Sequence, residues 1–408
     1  MNSRPPLLAL DDALARLLEQ ARFLAGSEIV STFDGDGRML ARDLVSPLQV
    51  PPQDNSSMDG YAVRVEEIAG EGVALPVSQR IPAGSAAQAL APGTAARIFT
   101  GAPVPHGADA IVMQEDAQAS EEGRVTILRV PDRGQWIRKS GEDVKKGSTV
   151  LAAGDRLTPA SLGLAASIGC EKLEVARRPR VALFSTGDEL VMPGDVAPGQ
   201  MKPGAIYNSN RFFLRALLRR LGCEVSDFGI VPDQRDATIS ALSRAAQDHD
   251  LILTSGGVSV GEEDHIKPAV QSLGSLDMWQ IAMKPGKPFA YGRVNGAHFI
   301  GLPGNPVSSF VTFILLVRPF LLKLQGAKNV VPRPISLPAH FELPRGDKRR
   351  EFLRARRNAE GGVELFPNQS SGVLTSAVWA DGLVDNPPGR TIARGDAVSF
   401  LPLAELVG

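Results

Sequence analysis

The chain has 408 residues, and its 41 Gly and 31 Pro make up about 18% of it, against roughly 12% in average usage. With 43% hydrophobic and 22% charged residues this is globular composition, which argues against disorder and collagen, calls for many turns and, at this length, implies two to four domains. Lys and Arg number 44 against 45 Asp and Glu, a formal net charge of −1, so no global field draws the chain to nucleic acid or an anionic membrane, and 5% aromatics is thin for base stacking.

In chain order, Leu7-Leu8-Ala9-Leu10 is stopped by Asp11-Asp12 before a signal-peptide core develops, and the reading is a soluble, cytoplasmic protein. Residues 11–25 place Leu14, Leu17, Leu18, Ala21 and Leu24 on one helical face. From Leu44 to Arg138 the pattern changes to short β-like runs broken by Pro and Gly: Tyr61–Val63, Ala95–Phe99, Ala110–Met113 and Val125–Leu128. Residues 158–168 predict a second helix, with Thr158 as N-cap and Pro159 in its first turn, so the β-rich piece reads as an insertion between helical segments. From Pro179, apolar runs at Val181–Phe184, Val225–Ile230, Leu251–Leu253 and Phe299–Leu302 alternate with helices at 208–221, 234–247, 265–273 and 305–325. That alternation predicts a doubly wound sheet with ligands at the carboxyl ends of its strands. Beyond Gly326 short β runs return and predict a small all-β terminal domain. Val307–Leu324, the longest apolar run, carries Arg318, Pro319 and Lys323 and reads as a core helix. Cys170 and Cys223 read as buried thiols.

Three strand ends break into small-residue loops: Ser185-Thr186-Gly187-Asp188-Glu189, Ser255-Gly256-Gly257-Val258-Ser259-Val260-Gly261 and Pro303-Gly304-Asn305-Pro306. Glycine lets backbone N–H groups approach an oxyanion, and a following helix N-terminus adds positive potential. Each loop alone also reads as ordinary βα-turn chemistry, whereas three at one sheet edge point to an anion site. Asn305 can cap the long helix and Pro306 can open it, leaving N–H groups free to face a ligand. Asp188 and Glu189, then Glu262, Glu263 and Asp264, follow these loops closely, and Asp233 stands at the end of the strand Val225–Val231; carboxylates there suit Mg²⁺, and they equally suit helix starts. Lys284-Pro285-Gly286-Lys287-Pro288 offers two ammonium groups on a stiff turn, either for an anion or for solvent. The five histidines have no zinc-like spacing, and no Gly-x-Ser-x-Gly is present.

Taken together, Asn55-Ser56-Ser57-Met58-Asp59-Gly60-Tyr61-Ala62, Thr100-Gly101-Ala102-Pro103, Ser185-Thr186-Gly187-Asp188-Glu189-Leu190, Ser255–Gly261, and Lys284–Pro288 with Leu302–Pro306 resemble the molybdopterin molybdenumtransferase family, which includes MoeA and the gephyrin E domain. The resemblance runs in order from about residue 8 to the C-terminus. It implies an α/β molybdopterin-binding domain with a parallel or mixed doubly wound sheet (177–326), an inserted β-rich domain (47–139), an elongated helical and β dimerisation domain (1–46 and 140–176) and a C-terminal β-barrel-like domain (327–408). The implied reaction is Mg²⁺-dependent insertion of molybdenum from molybdate into adenylylated molybdopterin, with release of AMP, in a homodimer.

By motif, the resemblance gives catalytic roles to Asp59, Asp143, Glu189, Asp233, Asp264 and Lys284, with Glu189, Asp233 and Asp264 as metal ligands. Thr100, Ser185, Thr186, Gly187, Ser255, Gly256, Gly257, Ser259, Lys287, Pro303, Asn305 and Pro306 are implied to bind substrate, and Arg354 and Ser371 to hold the oxyanion, with Asp59 and Thr100 reaching the site from the partner subunit. Gln280 stands where relatives often carry a basic residue, and Ser370 replaces a frequent Gly. The implied partners are small-molecule substrates, with transient contact to the molybdopterin adenylyltransferase and to molybdoenzyme maturation proteins, and neither nucleic acid nor membrane. A tungstate-inserting paralogue or a non-catalytic molybdopterin-binding scaffold would share the motifs; the retained acidic set weighs against the scaffold, because a charged cluster is costly to desolvate.

Overall fold

The computed structural model describes residues 7–24, 26–231, 234–257 and 266–407. Asp233, Ser259 and Asp264 lie outside the described residues. Helix α1 (Leu10–Gln20) buries Leu10, Ala13 and Leu17 and carries Asp11 and Asp12 in its first turn. It stops short of residue 25: Ala21 turns extended, and the Leu24 N–H instead donates to the Leu324 carbonyl at 2.9 Å, satisfying an otherwise orphaned group at the end of another helix.

Strand β1 (Ser27–Ser31) pairs antiparallel with β2 (Lys172–Ala176), and α2 (Pro159–Ser167) starts where the Thr158 hydroxyl accepts the Ser161 N–H. The segments flanking the β-rich piece therefore pair with each other. Between them, a six-stranded sheet built from Gly60–Val63, Ala74–Ile81, Ala95–Ile98, Ala110–Met113, Ala117–Ala119 and Arg124–Ile127 packs around Tyr61, Val63, Val112 and Val125.

The α/β region contains β3 (Arg180–Thr186), α3 (Asn210–Arg220), β4 (Glu224–Val231), α4 (Arg235–Asp248), β5 (Leu251–Ser255), α5 (Ile266–Leu273), β6 (Gly274–Gln280), β7 (Pro288–Val294), β8 (Ala297–Leu302) and α6 (Pro306–Leu324). The sheet order is β4-β3-β5-β8-β7-β6, with the first four parallel and the last two antiparallel. Along β3, Val181 and Leu183 face one core while Ala182 and Phe184 face the other, so burial on both sides explains the unbroken apolar run.

The β6–β7 hairpin is missing from the sequence reading because Gly274–Gln280 is an edge strand without a β-branched residue, and Pro288–Val294 opens on Pro and contains Gly292. That glycine is structural: a Cβ at Gly292 would overlap the Ser275 carbonyl, and one at Gly274 the Arg293 carbonyl. Helix α6 is long and apolar enough to cross a membrane, yet 83% of its most apolar stretch is buried inside the protein, as a core helix requires. Its turns widen at Phe313–Val317, just before Pro319, which has no N–H to continue the ladder.

Beyond α6, strand β9 (Arg350–Arg357) sits in a C-terminal sheet with Gly382–Asn386, Ala397–Pro402 and Ile335–Pro338. Met283–Lys284 adds to that sheet in parallel with Arg350–Glu351, so the Lys-Pro-Gly-Lys-Pro turn begins as a strand pinned to the last domain. Cys223 is buried and its thiol is pushed up to about 12 by desolvation, whereas Cys170 is partly exposed and its Sγ donates to the Lys172 carbonyl at 3.1 Å.

Gly292→Ala is expected to cost about 2 kcal/mol through this collision. Gly163→Ala, in α2 with open space at its Cβ, is expected to gain about 0.5 kcal/mol. Urea midpoints of both variants check the pair; equal shifts would refute the packing argument.

Candidate functional site: a cleft at the sheet's carboxyl edge

Parallel register sets the site. Ser185 is level with Ser255, Ser255 with Leu302, and Thr186 with Val231, so the three glycine-containing loops leave the sheet at one edge. They enclose a cleft of about 690 Å³. From the first loop it is lined by Thr186, Gly187 and Glu189, from the second by Ser255, Gly256 and Gly257, and from the third by Pro303, Gly304, Asn305 and Pro306. Gly256 has φ +92°, and a Cβ there would press into the Thr186 carbonyl, so only glycine allows the two loops to approach this closely. Ser185 Oγ and Thr186 Oγ1 are buried without a hydrogen-bond partner among the described residues.

Glu189 is exposed and has no side-chain partner among the described residues. Its carboxylate folds back over Gly187, where a Cβ would collide with it. Among the described residues no three His, Cys, Asp or Glu side chains form a cluster, while Asp233 and Asp264 fall outside that set. Of their described sequence neighbours, Val231 pairs with Thr186, and Ile266 lines the cleft. An oxygen-only donor such as Glu189, open to water, fits a hard divalent cation rather than zinc.

At the third loop, Pro306 occupies the first turn of α6, but the Asn305 side chain makes no cap bond, contrary to the sequence reading. The first N–H groups are not all free either: that of Val307 donates to the Ser371 carbonyl at 3.0 Å. A loop of the C-terminal domain has taken that donor, and Gly372 beside it joins the cleft wall.

Sequence reasoning missed a fourth wall, the start of α3. Asn208 Oδ1 accepts the Arg211 N–H, and Asn208 Nδ2 is buried without a partner among the described residues. Asn210 donates to Ser255 Oγ at 2.8 Å and to the Gly304 carbonyl at 2.7 Å. The only local signal was Asn-Ser-Asn before an amphipathic run, which reads as a helix start.

Other residues singled out from the sequence lie off the cleft lining. Lys284 Nζ donates to Glu351 Oε1 at 3.0 Å and lies 3.2 Å from Asp347 Oδ2; burial opposes its charge, but these hydrogen bonds hold its pKa above the ordinary value. Asp347 is held below the usual carboxylate range by its hydrogen bond from the Arg349 side chain, with burial opposing and Lys284 assisting. Lys287 lines a separate groove with Asp347, Lys348 and Arg349.

Arg354 is 1% exposed and faces no carboxylate: Nη1 donates to the Phe352 carbonyl, Nε to Ser376 Oγ, and Nη2 has no partner among the described residues. Burial alone pushes its pKa down to about 10. In the inserted sheet, Asp59 Oδ1 accepts the Thr100 N–H at 2.7 Å and the Thr100 hydroxyl at 2.8 Å, bonds that lower its pKa. Asp143 is exposed. No residue of the inserted sheet lines the cleft.

A cleft at the strand ends of a doubly wound sheet, with an inserted β domain and a terminal β domain joined to it, defines a multidomain α/β protein with a ligand site at its sheet's carboxyl edge. Family models agree in order: the MoeA N-terminal region (domain I and II) matches residues 8–169, a probable molybdopterin binding domain 182–323, and the MoeA C-terminal region (domain IV) 336–403. Molybdopterin molybdenumtransferase of Haemophilus influenzae is 40% identical over 98% of this chain and 100% of its own length. Molybdopterin molybdenumtransferase 2 of Mycobacterium tuberculosis is 41% identical over 86% of this chain and 88% of its own. A crystal structure of the molybdopterin biosynthesis moeA protein from Pyrococcus horikoshii superposes with a TM-score of 0.85 at 28% identity, over 97% of this chain and 100% of that one. The chain belongs to the MoeA family of molybdopterin molybdenumtransferases.

Two predictions follow from the charges. Arg354 is buried with no carboxylate partner among the described residues, so desolvation opposes its charge. Arg354→Met is therefore expected to melt at the same or a higher temperature; a much lower Tm would contradict it. Asp347, with a lowered pKa, contributes stability above its unfolded value of 3.8 that is lost as pH falls below it. Wild type is thus expected to exceed Asp347→Asn in urea midpoint at pH 7, and that advantage is expected to narrow steadily as pH falls from about 4 to about 2, without closing, because the folded-state pKa is lowered further still.

Proposed function

We propose that the chain inserts molybdenum from molybdate into adenylylated molybdopterin in a Mg²⁺-dependent step that releases AMP. The observation that carries this reading is the convergence of three glycine-containing strand ends on one cleft with a carboxylate, Glu189, at its rim that has no partner among the described residues. A substrate with a phosphoanhydride needs backbone and hydroxyl donors plus a cation. Thr186 Oγ1, the Ser255 hydroxyl and the Gly257 backbone are the chain's own donors, and Glu189, Asp233 and Asp264 would hold the cation. When bound, Mg²⁺ neutralises charge on the phosphoanhydride oxygens. Water attacks the anhydride phosphorus as the P–O bond breaks and AMP departs; two Mo–S bonds then form as the dithiolene thiols give up their two protons and one oxo group of molybdate leaves as water, with no change in the oxidation state of molybdenum. Arg354 Nη2, without a partner among the described residues, suits the tetrahedral oxyanion.

The reading includes a cytoplasmic homodimer in which the linked pair Asp59 and Thr100 acts on the partner's cleft; in its support, among the described residues the inserted sheet contributes nothing to the cleft of its own chain. Dimerisation falls to 1–46 with 140–176, and the inserted, α/β and C-terminal domains span 47–139, 177–326 and 327–408.

Incubation with adenylylated molybdopterin, molybdate and Mg²⁺ is expected to release AMP and to yield cofactor that activates an apo-molybdoenzyme; absence of both refutes the proposal. Glu189→Gln is expected to retain its Tm and to lose about 10²-fold or more in AMP release rate.

A further inference from the structure

We infer that Asn210, the first residue of α3, is a positioning residue that clamps the second and third strand-end loops together and sets the donor direction of Ser255. This deepens the molybdenum-insertion reading and rests on it for the expected kinetic effect. The clamp itself is geometric. Asn210 is 8% exposed, and its Nδ2 reaches Ser255 Oγ at 2.8 Å and the Gly304 carbonyl at 2.7 Å. A carbonyl only accepts, so the atom facing Gly304 must be the amide nitrogen, which fixes the orientation of the carboxamide. Nδ2 has two hydrogens and meets two acceptors. Ser255 Oγ is therefore an acceptor in this pair, and its own hydrogen is left to donate elsewhere.

Three features make the clamp functional rather than merely structural. The loops it joins leave adjacent strands, β5 and β8, and their ladder ends with Ser255 opposite Leu302. Beyond that point the Asn210 bond to the Gly304 carbonyl holds the third loop, since the Asn305 side chain makes no cap bond. Asn210 also stands in the cleft wall beside the groups it holds. Loops misplaced by about 1 Å can cost about 10² in rate without loss of fold.

The test uses Asn210→Ala and the isosteric Asn210→Asp, which keeps the volume but puts a carboxylate against the Gly304 carbonyl. Hydrogen exchange in peptides covering 251–257 and 300–308, without substrate, is expected to accelerate in both variants while peptides in α4 and β9 stay unchanged. AMP release is expected to show kcat down about 100-fold with KM changed less than about threefold, and a Ser255→Ala, Asn210→Ala cycle is expected to be clearly less than additive. Unchanged exchange in the two loops, wild-type kcat, or full additivity each overturns the clamp. If wild-type protein releases no AMP, the catalytic reading fails, yet exchange still decides whether Asn210 holds the loops. Should the alanine variant fail to fold, the aspartate variant carries the same readouts.

Discussion

The parallel register of β3, β5 and β8 is the constraint on which the site depends. Level pairing of Ser185, Ser255 and Leu302 brings three loops out together, and that pairing cannot slip. Both faces of the sheet are packed, and a shift of one residue would exchange Val181 and Leu183 for Ala182 and Phe184 between two cores of different shape. Burial of apolar side chains on the two faces thus fixes, to within one residue, where the polar loop atoms emerge. The close approach of the first two loops then falls to Gly256, where a side chain would meet the Thr186 carbonyl.

The C-terminal sheet is not an appendage to this arrangement. It takes in Met283–Lys284 as an extra strand, engages Lys284 through Glu351 and Asp347, and accepts the Val307 N–H through Ser371. Each link originates in the α/β region near the ends of its strands or the start of α6. Any displacement of the last domain would therefore be felt at the third loop and at the Lys-Pro-Gly-Lys-Pro turn before it reached the distant face of the sheet. Glu351 is central here, since it is 3% exposed and accepts from both Lys284 and the Asp347 N–H.

What the sequence made legible follows the range of the interactions involved. Four parallel strands and four helices of the α/β region announce themselves through local apolar runs and period. The β6–β7 hairpin does not, because its pairing depends on glycines that allow two backbones to cross, and glycine in a sequence reads first as a turn. The end of α1 is set by a bond to residue 324, which no window around residue 20 contains. The strand-end loops were visible as glycine and small polar residues following strands. The partners of those loops were not: Asn210 meets Ser255 and Gly304 across 45 and 94 residues, and Lys284 meets Glu351 across 67. Hydrogen bonds between distant polar side chains leave no periodicity. Arg354 and the Asp59–Thr100 pair were reached only through the family resemblance, and composition would not have found them.

The two ends of the α/β sheet treat buried polar groups in opposite ways. At the amino ends of the strands, Asp250 is largely buried and fully answered: it accepts both Arg177 guanidinium donors, at 2.7 and 2.8 Å, and the Arg180 N–H at 2.8 Å. Its pKa is lowered despite burial, because Arg177 and the Arg180 N–H hold the charged form. At the carboxyl ends, Ser185, Thr186 and Asn208 each keep a buried polar atom without a partner among the described residues, and in the neighbouring domain Arg354 keeps a buried guanidinium donor without one. An unmade buried hydrogen bond costs about 1–3 kcal/mol, and more for a charged group. A fold that pairs Asp250 so completely has the means to pair these groups as well. Of these groups Thr186 and Asn208 stand in the cleft wall, and the anion proposed to bind there would supply acceptors to them, so that its binding would stabilise the fold.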